Sequence, residues 1–110
     1  MNVCDIIGRT ISLTWETLCT TDLCIEKNAI FHKTVEETLH GSVEYWIEAK
    51  AVTMRMADNL YCVSWEDEEG NSFTLILDTL SMKAKATLTY EDGIGNSKPQ
   101  HTVGKFKFIN

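Results

Sequence analysis

The sequence predicts an all-β protein: one small, mainly antiparallel, up-and-down barrel of about eight strands. Three observations predict it. Apolar and polar residues alternate with a period of two over most of the chain, the mark of strands with one buried and one wet face. The segments between these runs are short and turn-like. And 110 residues form one domain (1–110) with a single core. So many strands in so short a chain avoid open edges best by closing on themselves.

Taken in order, "GRTISLTW" (8–15) sets Ile11, Leu13 and Trp15 against Thr10, Ser12 and Thr14, and reads as the first strand. "DLCIEK" (22–27) and "AIFHKTV" (29–35) pair through a turn at Asn28. Residues 35 to 47 carry apolar positions at Val35, Leu39, Val43, Trp46 and Ile47. Those spacings predict one short helix, against which Gly41 counts by roughly 1 kcal/mol. "KAVTMRM" (50–56) resumes as a strand with Val52, Met54 and Met56 on one face. "NLYCVSWE" (59–66) then groups Tyr61, Val63 and Trp65, and "NSFTLILD" (71–78) groups Phe73, Leu75 and Leu77. "SMKAKATLTY" (81–90) places Met82, Ala84, Ala86, Leu88 and Tyr90 on one face, and "HTVGKFKFI" (101–109) opposes Phe106 and Phe108 to Lys105 and Lys107.

The bulk numbers narrow the function classes. Sixteen acidic residues against ten basic ones give a net charge of −6, and no run of Lys and Arg stands out along the chain, so a nucleic-acid partner is not expected. No apolar run is long enough to span a bilayer, and no membrane partner is expected. "MNVCDIIGRT" lacks a basic segment followed by an apolar one, which gives a cytoplasmic expectation. The four cysteines and three histidines lack the paired spacing of a structural zinc site, so neither a metal nor any other cofactor is expected. The thiols read as small, free and at least half-buried side chains. "EDGIGN" (91–96) offers oxygen donors but not the spacing of a calcium loop, and reads as a turn.

The stretch "YCVSWEDEEGNSFTLILD", the glycine-led first strand from Gly8 to Trp15 and the closing "GKFKF" strand resemble the small calycin (lipocalin-like) barrels. Two groups are similar: the MoaF-like proteins and, more distantly, the phenolic acid decarboxylases. The second resemblance implies four functional positions. A glutamate two residues beyond the Val-Ser-Trp tryptophan falls on Asp67. Two tyrosines of the first strand fall on Leu13 and Trp15, and an arginine that holds the substrate carboxylate falls on Glu44. Only Asp67 matches, as the shorter acid, and Glu44 reverses the charge. Phenolic acid decarboxylase activity is therefore expected to be absent, and the MoaF-like resemblance implies a barrel and a cavity rather than a reaction.

Asp67 shares the parity of Tyr61, Val63 and Trp65. If the strand runs on, it points inward as a general acid or base; if the strand ends at Glu66, the acidic run makes it a solvated turn residue. His32 shares a face with Ile30 and Thr34, as a polar group in an apolar pocket or as a half-exposed core histidine. Trp15, Tyr61, Trp65, Phe73, Tyr90, Phe106 and Phe108 all read as inward, either lining an aromatic cavity or filling it. The leading expectation is a binder of a small aromatic or apolar molecule, with Trp15, His32, Tyr61, Trp65, Phe73, Tyr90 and Phe106 as ligand contacts. The alternatives are an enzyme of the same fold using Asp67 with His32, and an interaction protein with a filled core. The stripe of Val52, Met54 and Met56 suggests a homodimer.

Overall fold

The computed structural model describes residues 6–67, 70–91 and 97–109, with the backbone alone for residues 90, 91, 97 and 98. Eight strands follow in chain order: β1 (Arg9–Trp15), β2 (Thr20–Glu26), β3 (Ala29–Thr38), β4 (Gly41–Ala57), β5 (Leu60–Glu66), β6 (Ser72–Asp78), β7 (Lys83–Glu91) and β8 (Ser97–Phe108). Each pairs antiparallel with the next, and β8 returns to β1, so the sheet closes in simple up-and-down order. Closure removes the free edges that an eight-stranded open sheet would expose.

The helix expected within residues 35–47 is not formed; that segment is the tip of the β3–β4 hairpin. Thr38 pairs with Gly41 across a two-residue turn, the Thr38 hydroxyl donating to the Gly41 carbonyl at 2.6 Å. The apolar residues that mimic a helical spacing are divided between the two faces of a ribbon. Val35 and Trp46 point outward, Val43 and Ile47 inward, and Leu39 sits in the turn. This arm extends past the paired part of β2 and β5, and Leu39, Val35, Val43 and Trp46 are all exposed.

Inside the barrel the alternation delivers the core its pattern promises. Ile11, Leu13, Leu23, Ile25, Ile30, Ala51, Tyr61, Val63, Leu75, Leu77, Ala84 and Phe106 are buried. Ile6 (1% exposed) tucks under the same end of the barrel, fixed by a hydrogen bond from the Arg9 amide to the Ile6 carbonyl and one from the Gly8 amide to the Ile25 carbonyl. The Arg9 guanidinium lies 4.0 Å from the centre of the Phe108 ring, a cation–π contact. The end carrying the N-terminus and the β2–β3, β4–β5 and β6–β7 turns is thus filled. Asn28 and Asn59 occupy left-handed backbone (φ 64° for both) in the first two of these turns, a conformation asparagine tolerates better than most residues. Val52, Met54 and Met56 lie on the outer face of β4 and are exposed. No described helix is long and apolar enough to cross a membrane.

The β6–β7 turn carries a carboxylate with a defined task. Asp78 accepts hydrogen bonds from the amides of Leu80 (2.9 Å) and Ser81 (3.2 Å). The Ser81 amide first, then that of Leu80, hold its carboxyl below the ordinary value of 3.8, with Lys83 adding a smaller effect. A depressed folded-state pKa stabilises the fold above the unfolded value, and that contribution is lost as pH falls through the folded value. The expected result is that the melting-temperature difference between the parent and Asp78→Asn is largest above pH 3.8 and closes below it. Thermal melts at stepped pH check this; a difference that stays constant down to the lowest pH contradicts it.

Candidate binding site

The opposite end of the barrel is not filled. A concavity of about 1940 Å³, open mouth included, is bounded below by Leu13, Leu23 and Leu75, which are also core residues. Its wall is set by register. Trp65 pairs with Ala51 on one side and Phe73 on the other, and Phe73 with Leu88. The Trp65 and Phe73 rings stack at 5.2 Å and 9°, an aromatic cross-strand pair of the kind that stabilises sheets. Both remain half-buried rather than sealed. Ala49, Ala51 and Ala86 leave space where larger side chains would close the lumen.

Across the barrel, β1 to β3 bring Trp15, Thr21 and His32 to the same cavity. The Trp15 indole N–H donates to the Thr21 hydroxyl at 3.1 Å, so the polar edge of that ring is satisfied within the wall. His32 sits between Leu23 and Ile47 in the ladder, with Nδ1 3.5 Å from the Thr34 hydroxyl. Thr102 on β8 adds a hydroxyl-bearing position.

Asp67 also borders the cavity. β5 ends at Glu66, yet Asp67 is half-buried rather than fully solvated. Its Oδ1 accepts from the Asn71 amide and its Oδ2 from the Asn71 side-chain N–H, each at 2.9 Å. Its own amide donates to the Asn71 carbonyl at 3.0 Å. The carboxylate thus closes its own hairpin, a local side-chain-to-backbone arrangement typical of aspartate in turns.

Trp15, His32, Trp65 and Phe73 are therefore brought together at one cavity. Tyr61 (1% exposed) and Phe106 (5%) are not: they lie in the packed half, with Phe106 edge-on to Phe108. Their parity is inward as expected, but their position along the strand puts them below the cavity floor. The side chain of Tyr90 lies outside the described residues, as does most of the 91–96 turn. Thr21, Ile47, Leu88 and Thr102 also line the site; strand alternation was the available signal for Leu88 and Thr102, while Ile47 lay in the segment whose spacing imitates a helix.

The position that the decarboxylase resemblance assigns to an arginine, Glu44, lies on the outer face of the arm, opposite Val35. It forms an ion pair with Lys33 at 3.0 Å, which is the main cause of the raised Lys33 pKa. Leu13, at one tyrosine position, is a fully buried floor residue. Cys19 is exposed, and Cys24 and Cys62 are half-buried; all three are free thiols. Burial, above all, pushes the Cys24 thiol up. Among the described residues no three His, Cys, Asp or Glu side chains converge as metal ligands.

No family model and no curated protein matches this chain. Among solved structures, the crystal structure of a "putative beta-lactamase" from Burkholderia vietnamiensis is similar, with a TM-score of 0.72 over 94% of this chain and 95% of that one. At 11% sequence identity the likeness is one of fold: a closed antiparallel barrel spanning nearly the whole of both chains.

Proposed function

We propose that this chain is a small-molecule-binding barrel whose open half holds a small aromatic or apolar metabolite. The observation that carries the reading is the Trp65–Phe73 stack, half-buried in the wall of an open cavity above a sealed core. Ligand sites are typically concave and apolar with a few polar groups, and His32, Thr21 and Thr102 supply such groups here. The closed eight-stranded architecture supports a relation to the MoaF-like calycin barrels. The activity in the neighbour's name is no part of this proposal, since at 11% identity the likeness is one of fold.

The test is mass spectrometry of freshly purified protein under native and then denaturing conditions, combined with Asp67→Asn. The expected result is a small molecule lost on unfolding, with occupancy in Asp67→Asn within about twofold of the parent, because asparagine keeps an acceptor oxygen for the turn. A bare mass in every preparation, together with no heat of binding for small aromatics such as indole, would remove the proposal. Conversion of the co-purifying molecule by the parent but not by Asp67→Asn would instead establish an enzyme of the same fold.

A further inference from the structure

The sequence holds two Lys-x-Lys alternations, Lys83-Ala84-Lys85 and Lys105-Phe106-Lys107, separated by nineteen residues. The β7–β8 register brings their ends together. Lys83 stands directly opposite Lys105, and because Ala84 and Phe106 are buried, all four lysines project from the outer face. All four are exposed. Two residues along a strand span about 7 Å and neighbouring strands lie about 4.8 Å apart, so the ammonium groups fall within roughly one Debye length of their nearest neighbours. Like charges directly opposite across a ladder destabilise a sheet, and among the described residues none of the four forms an ion pair.

Among the described residues, Asp78 and Glu16 border this patch, and Asp22 lies across β1 from Lys107, opposite Ser12. Asp78 pairs with Lys83 in the ladder but is already engaged by two turn amides. Glu16 lies at the upper margin, its amide bonded to the Val103 carbonyl. Much of the remaining acidity is elsewhere: Glu36, Glu37, Glu44 and Glu48 on the arm, and Glu66 at the mouth, all exposed. Beside the lysines, at the closed end, Leu80 in the β6–β7 turn is 80% exposed and Ile109 is 46% exposed.

We infer that the outer face of β7 and β8 docks on an anionic membrane surface. Four clustered lysines match the basic patches that attract anionic lipid, and Leu80 and Ile109 supply apolar side chains to enter the headgroup region. A barrel exterior is convex and offers no groove for an acidic peptide. The described outer side chains of β7 and β8 are Lys, Thr, His, Val and Pro, so no Phe, Tyr or Trp ring is presented there for stacking nucleic-acid bases. The acids behind the net charge of −6 are carried largely by other strands, Glu36, Glu37, Glu44 and Glu48 of the arm among them. In this orientation the cavity mouth stays in water.

The test is co-sedimentation with vesicles of equimolar phosphatidylcholine and phosphatidylserine, against phosphatidylcholine alone. Binding to the anionic vesicles is expected in low salt and is expected to be lost at about 0.5 M salt, where screening shortens to roughly 4 Å. Lys85→Gln and Lys105→Gln should each weaken it by about fivefold without lowering the melting temperature, because both side chains are exposed and Lys105→Gln relieves the repulsion with Lys83. No sedimentation with anionic vesicles, equal binding to neutral ones, or indifference to both substitutions would overturn the inference. So would binding of a DNA duplex through the same lysines without vesicle binding.

Discussion

Replacing Gly104 by valine is expected to lower stability by about 3 kcal/mol or more, the upper range for forcing volume into a packed site, and to drop the melting temperature by roughly 12 °C or more. Gly104 sits on β8, opposite Trp15 on β1 and Ala84 on β7. A Cβ there would lie 2.5 Å from the Thr14 carbonyl oxygen and 3.1 Å from both Cα and Cε3 of Trp15. Two of these three atoms are backbone, so no rotamer change relieves the contact. The strands themselves must part, and they are the pair that closes the barrel. The backbone angle of Gly104 is not the reason, since it is absent from the positive-φ glycines. Gly70 makes a useful contrast: its φ is +85° and a Cβ there meets nothing within 4 Å, so Gly70→Ala should lose only about 1 kcal/mol through backbone strain. Urea or thermal unfolding measures both. A parent-like melting temperature for Gly104→Val would mean that the β1–β8 seam has slack.

Gly104 also illustrates what a sequence reading of this chain can and cannot reach. In "HTVGKFKF" the alternation shows a strand, and nothing shows that one of its inward positions faces a neighbour's backbone at contact distance. Strands were legible wherever one face is buried, because burial is what enforces a period of two. The arm at 35–47 breaks that condition: with both of its faces exposed, selection for alternation is relaxed, and its spacing imitates a helix. Depth along the barrel axis was equally hidden. Tyr61 and Trp65 share a strand and a parity, yet one is sealed in the core and the other lines the cavity; only the stagger between strands, fixed by eight registers together, separates them. The same holds for Asp67, whose meaning depends on Asn71 across its hairpin, and for the lysines, which become a patch only when β7 meets β8.

That difference in depth makes Trp65→Ala the most informative change at the candidate site. Losing the indole removes one half of the 5.2 Å stack with Phe73 and opens the wall between β4 and β6. For an aromatic ligand the forfeited contact is about 0.5–1.5 kcal/mol, so the dissociation constant for indole, measured by calorimetry, is expected to rise about three- to tenfold. Stability should fall by about 2–3 kcal/mol, below the 3–5 kcal/mol range of a fully buried aromatic, because the ring is half-exposed. Trp65→Phe keeps a stacking ring and should recover most of the affinity. Tyr61→Ala supplies the complementary measurement: it should lose about 3–5 kcal/mol of stability, yet below the melting transition leave the affinity within about twofold, since that ring lies under the cavity floor. If both alanine variants weaken indole binding in proportion to their loss of stability, the stacked pair is acting only as core. Binding that tracks Trp65 and ignores Tyr61 locates the ligand in the open half of the barrel.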